Sequence, residues 1–352
     1  MENTLHPLTQ WAINKIKTEY PDDVALLVAV EGSSGSSING DWHGEAFDYY
    51  IPITERGNEL AKTFIIDGIG IDIYPRSWER TEHTANLDNQ SPQCLGSAKI
   101  LYARTKEDEE RFMALKQKLF DNLNDPNFVY KKALENLNTA MDLYRTMLFE
   151  NRLYRVRGLA GYVQLYLTVS VACLNNTYRK GYHGGYHGDI IREVSGWKEL
   201  PAHFIEYYQA ILTANTIQEM RNLAYLLIAG AREFITKYKP KENHAEKVKD
   251  YQWLADWYQE LRDWLRMLYY FCDIKNIDGA FYEACQMQSE LDIVSEEFEL
   301  GEMDLLGYFQ AENLEILRSR AEELEKQIIY TIESNGVKIR QYNTLDEFLA
   351  DN

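Results

Sequence analysis

Positive charge is in short supply in this sequence: 37 Lys and Arg face 55 Asp and Glu, a formal net charge of −18 over 352 residues. Phosphate backbones are gripped chiefly by Lys and Arg, so nucleic acid is not an expected partner. The same field favours a cationic small molecule, or simply keeps the chain soluble. Cysteine is equally sparse. The four, Cys94, Cys173, Cys272 and Cys285, form no CxxC pair. Three lie in apolar, helix-like stretches where a free thiol behaves as a small hydrophobe, which fits a reduced, cytoplasmic setting. Long hydrophobic runs are missing too. The longest, Leu223 to Ala229, falls far short of the ~20 residues that span a bilayer, so no membrane partner is expected. The opening MENTLHPLTQW lacks the basic-then-apolar pattern of a signal peptide. No Gly-Lys-Ser/Thr follows the Gly/Ser-rich stretch, which excludes a Walker A loop.

What the chain does have is apolar bulk, 45% of residues, with 25 Tyr and 7 Trp. Such a composition supports a globular fold with more than one core. Leu8, Trp11, Ala12, Ile16 and Tyr20 recur at helical spacing before Pro21. Val24 to Val30 is an unbroken apolar run and reads as a buried strand. Phe47 to Ile53 alternates as a second strand, with Asp48, Tyr50 and Pro52 on one face. Phe64 to Ile66 is a third. Ile69 to Tyr74 alternates again and puts Gly70, Asp72 and Tyr74 together. Ile100 to Tyr102 is one more short strand. After Thr105 the texture becomes helical, with helices expected near 107–122, 128–149, 153–177, 201–214, 217–238, 245–272, 278–296 and 310–334. Thr105 with Asp108 and Thr216 with Glu219 are capping pairs, and Gly336 suits a C-terminal cap. Val337 to Tyr342 reads as a short strand, and Thr344 with Glu347 caps a last turn.

These readings give an α+β protein in two domains. Residues 1–105 form a mixed sheet with helices, 106–336 an all-α helical bundle, and 337–352 a tail. The cleft between the first two is the expected site, because ligands favour domain interfaces.

The order of elements carries a chemistry. A Gly/Ser turn leaves the first strand at Gly32-Ser33, with Gly35-Ser36 as an alternative register, and its amides can approach a phosphate. Asp48 and Asp72 then sit on neighbouring strands, where hard oxygen ligands suit Mg²⁺ together with substrate phosphates. This pattern resembles the nucleotidyltransferase superfamily that includes DNA polymerase beta. With the helical domain that follows, it looks most like streptomycin- and kanamycin-type aminoglycoside nucleotidyltransferases. The motif-bearing resemblance spans about residues 24 to 75. It implies that Asp48 and Asp72 are catalytic, metal-holding carboxylates. It also implies that Gly32, Ser33 and Ser36 hold nucleotide phosphates and that Tyr50 lines the site. The cofactors implied are Mg²⁺ and ATP or another nucleoside triphosphate, and the acceptor is a small polar molecule, aminoglycoside-like by family association. Tyr50 stands where the family carries a second acid, and Glu45 is a possible replacement ligand. A catalytically decayed member that binds a nucleotide, or a protein partner in the manner of an antitoxin, therefore stays open.

Other features have plainer readings. The segment Arg179 to Asp189, with His183 and His187, is a glycine-rich connector or a substrate contact. Asp142 and Glu150 are candidate general bases. Trp253, Trp257 and Trp264, with Leu254, Leu261 and Leu268, form a packing seam. The acidic stretches 296–299 and 312–325 are solvated faces.

Overall fold

The computed structural model describes residues 6–30, 47–66, 68–180, 190–240 and 249–351. They form two compact units, Met1–Lys241 and Glu242–Asn352. The sequence-based boundary at residue 105 falls inside the first unit, and the expected helical domain, 106–336, is divided between the two.

The first unit opens with α1 (Pro7–Glu19), started by Pro7 in its first turn and by the His6 ring accepting from the Leu8 amide at 3.2 Å. Then follow β1 (Val24–Val30), β2 (Tyr49–Pro52), β3 (Lys62–Ile66) and β4 (Ile69–Pro75). The short helices α2 (Trp78–Ala85) and α3 (Gln93–Gly96) come next, and then the last strand, β5 (Ala98–Ala103). The helical part comprises α4 (Lys106–Asn124), α5 (Pro126–Phe149), α6 (Leu153–Leu174), α7 (Ile190–Ser195), α8 (Phe204–Thr213) and α9 (Ile217–Thr236).

The sheet order is β3-β4-β2-β1-β5. β2 and β4 run parallel and the other pairs antiparallel, so the sheet is mixed. β1 is buried along its whole length, as its unbroken apolar run requires. Its residues divide between two cores. Val24 and Leu27 join Ala12, Ile16, Tyr50 and Leu60 under α1, whereas Leu26, Val28 and Val30 join Tyr49, Leu95, Phe112 and Leu119 against α4. A third core binds α5, α6, α8 and α9.

The second unit contains α10 (Tyr251–Asp273), α11 (Ile277–Phe298), α12 (Leu314–Ser334) and α13 (Leu345–Asp351). Leu254, Leu261 and Leu268 are buried in its core, so they make the seam. The tryptophans sit at its edge: Trp253 stacks on Phe298 at 6.0 Å and Trp257 donates to Glu290 at 3.1 Å. Glu325 is no solvated acid, because Tyr258 and Tyr269 each donate to it at 2.8 Å.

Both internal capping pairs form. Thr105 accepts from the Asp108 amide and Thr216 from the Glu219 amide, each at 3.2 Å. Gly336 adopts φ +78°, the left-handed geometry a helix terminus asks of glycine. Two expectations fail. Residues 337–342 hold no strand, and the helix expected from Pro201 starts at Phe204 behind a left-handed His203.

Candidate functional site

The sheet places the candidate acids first. On β4, Asp72 and Tyr74 are two apart and share a face. Asp72 is exposed and accepts a 3.4 Å hydrogen bond from the Thr63 hydroxyl on the facing β3 residue. The parallel pairing sets Tyr49 opposite Tyr74, with their rings 6.1 Å apart. Asp48, just before β2, is held by its amide donating to the Val28 carbonyl at 2.7 Å. Its carboxylate accepts from the Tyr74 hydroxyl at 3.1 Å. Burial first, and then the neighbouring Asp48 carboxylate, push the Tyr74 hydroxyl far above its ordinary range. At neutral pH it is a fixed proton donor joining the Asp48 and Asp72 strands.

Tyr50 is not with them. Its side chain is fully buried in the cluster beneath α1, and its hydroxyl donates to the Asn58 carbonyl at 3.3 Å. Burial pushes its pKa up to about 12. Strict alternation would put Asp48 and Tyr50 on one face. Instead, Phe47 packs beside Tyr50, and Asp48 reaches Tyr74, which packs on the Tyr49 side. Tyr50 is therefore a core residue and does not line a site. Gly32, Ser33 and Ser36 lie outside the described residues, as do Gly35, Glu45, His183, His187 and Asp189.

The proposed bases are placed poorly for that role. Asp142 faces Arg145 at 3.4 Å on an exposed stretch of α5. Glu150 is gripped by Arg152 through 2.9 Å hydrogen bonds, which bring its pKa down to about 2. A carboxylate held that low is a weak proton acceptor.

Beside the acids, a cavity of about 600 Å³ opens between the sheet side of this unit and its helices. Asp72, Tyr74 and Arg76 line it from the end of β4, Arg80 from α2, and Val169 and Cys173 from α6. Arg179 completes the wall, so one described residue of the 179–189 segment reaches it.

Sequence reasoning missed Arg76. Its amide donates to the Tyr50 carbonyl at 2.8 Å, extending the β2–β4 ladder by one residue and aiming its side chain inward. The residue is 1% exposed. Its guanidinium donates to the Thr84 hydroxyl and lies 5.5 Å from the Tyr49 ring centroid. It makes no ion pair among the described residues. Taking a guanidinium out of water costs several kcal/mol. A desolvated cation–π contact returns about 2 kcal/mol, and one hydrogen bond to a charged donor about 1.5–3 kcal/mol. Among the described residues one of its five N–H groups has a protein acceptor, so the balance favours an anion arriving from the cavity.

Two further arginines stand on the same lining, Arg80 exposed and Arg179 half-buried. Arg179 has a buried Nε with no hydrogen-bond partner, and neither its guanidinium nor that of Arg80 makes an ion pair among the described residues. The one signal in the sequence was a cation placed between the end of a strand and the helix cap Ser77, which accepts from the Arg80 amide at 3.1 Å.

Among the described residues, no group of three or more His, Cys, Asp and Glu side chains comes together to hold a metal. Nor is any helix long and apolar enough to cross a membrane. No protein-family model matches the sequence, and no curated protein matches it. Among solved structures, the chain is similar to a nucleotidyltransferase-like protein from Exiguobacterium sibiricum 255-15. The identity is 12%, the match covers 65% of this chain and 75% of that one, and the TM-score is 0.35.

Proposed function

We propose that this chain is a nucleotidyl-transferring enzyme that takes ATP or another nucleoside triphosphate and a small polar acceptor. The acceptor hydroxyl forms a bond to the α-phosphorus, the α–β phosphoanhydride breaks, and pyrophosphate leaves. The observation that carries this reading is the sheet face on which Asp72 and Tyr74 open onto a cavity of about 600 Å³, with Asp48 hydrogen-bonded to Tyr74. Asp48 and Asp72 would hold Mg²⁺. A pair of carboxylates suits that ion when substrate phosphates complete its shell, so the donor set fits a metal that arrives with the nucleotide. The ion would neutralise the phosphates and polarise the transferred group. Gly32, Ser33 and Ser36 would supply amides to the phosphates. Tyr74 fixes Asp48 by a hydrogen bond whose proton stays in place at neutral pH.

Calorimetric titration of ATP in the presence of Mg²⁺ tests the reading. Wild type should bind, and Asp48→Asn/Asp72→Asn should lose at least about tenfold in affinity, the usual effect of removing charged ligands. Binding that ignores the double substitution overturns it.

A second reading has an observation of its own. Tyr50, at the position of the second acid, is buried away from Asp48 and Asp72. A site with two acids among the described residues suits a decayed enzyme that binds nucleotide, or a partner, without turnover. ATP binding with no pyrophosphate release across an acceptor panel would favour it.

A further inference from the structure

The three arginines have no task in the scheme above. On the cavity wall, Arg76 and Arg80 come after β4, and Arg179 comes after α6. Among the described residues Asp72 is the one acid on the lining against these three cations. In a chain of net charge −18, a cavity lined this way runs against the overall field. The cations are also not spent on internal partners. Arg76 is 1% exposed and its side chain has one hydrogen bond among the described residues, to Thr84, and Arg179 keeps a buried Nε without an acceptor. A planar guanidinium fork matches phosphate and carboxylate oxygens. Side-chain amides on the lining, Asn89, Gln90 and Gln93, can donate to the rest of a polar ligand.

We propose that this cavity seats the second substrate, and that this substrate is a small anion whose phosphate or carboxylate group is taken by Arg76, Arg80 and Arg179. Naming the occupant as the second substrate rests on the nucleotidyl-transfer reading. The anion site itself does not. The acceptor is then opposite in sign to the cationic ligand that the net charge of the chain favours.

Calorimetric titration of the full chain with inorganic phosphate and with citrate, each with and without saturating ATP and Mg²⁺, tests this. Wild type should bind at least one of these anions, and ATP should not displace it. Arg76→Met should weaken anion binding by about tenfold or more, the loss of a charge-assisted contact. ATP affinity should stay within about twofold, since additivity holds for groups without shared partners. Should the buried Arg76 variant fail to fold, Arg80→Ala and Arg179→Gln carry the same expectation. Absent anion binding, or binding indifferent to all three substitutions, overturns the site. Anion and ATP competing, with both weakened by the arginine variants, overturns the second-substrate assignment by giving the cations to the nucleotide. Anion binding lost with the arginines in a chain that never binds ATP upholds the anion site and sinks the nucleotidyl-transfer reading, so the two failures are told apart.

Discussion

At the scale of single residues, Tyr50 shows how a position in a motif and a position in space separate. Restoring an acid there would set a carboxylate among Ala12, Ile16, Leu27 and Leu60. A buried charge without a partner destabilises by about 3–5 kcal/mol. Tyr50→Asp should therefore lower the unfolding free energy, read from urea titration, by that much and create no metal site. Tyr50→Phe removes only the bond to the Asn58 carbonyl and should cost about 0.5–1.5 kcal/mol. A stable Tyr50→Asp that gains Mg²⁺ binding would contradict the placement. Strand alternation in the sequence puts Asp72 and Tyr74 on one face of their strand, as the sheet has them. The sequence could not show that the alternation slips between Phe47 and Tyr50, since a one-residue slip exchanges faces without changing any residue. Arg76 and Arg80 escaped for a different reason. A lone cation after a strand looks the same whether it points to water or to a cavity.

Among the elements, the corner between α5 and α6 joins helices from the two ends of one charge network. Arg221, from α9, donates to the carbonyls of Met147 at 3.2 Å and Glu150 at 3.0 Å, satisfying acceptors that the end of α5 leaves open. Glu150 in turn holds Arg152 and Arg155 at the start of α6. Its pKa falls from the ordinary 4.5 to about 2, chiefly through the Arg152 hydrogen bonds. A depressed carboxylate contributes stability above its unfolded value and loses it as pH falls through its folded one. The corner should hold firm at neutral pH and loosen between about 4.5 and 2. Amide exchange at residues 149–156 reads this directly, and Glu150→Gln should abolish the pH step. The long helices were legible because their apolar spacing and caps agree. α2 and α3 were not. They run 8 and 4 residues, too short for periodicity to rise above composition, and tertiary packing against α4 rather than propensity holds them.

Taken whole, the molecule divides after Lys241 because its apolar clusters do. Three draw only on residues of the first unit, and one draws only on residues of the second. A chain truncated after Lys241 should therefore unfold cooperatively on heating and retain the anion binding of the full protein, as followed by circular dichroism and calorimetry. Loss of cooperativity would show that the first unit depends on residues beyond it. The boundary was hard to read from the sequence. Helical texture runs from residue 106 to 334 without a change of period, and what separates the units is which leucines find each other.

Two of the four thiols stand on the wall of the arginine-lined cavity, Cys94 and Cys173. Burial pushes both above the ordinary thiol range, Cys173 to about 12, while Arg76 pulls Cys94 part of the way back. Because only the thiolate reacts, both are slow toward alkylating reagents at neutral pH. The part-exposed Cys285 lies in the other unit. An occupant of the cavity should slow the labelling of Cys94 further, in proportion to the fraction of time the cavity is filled.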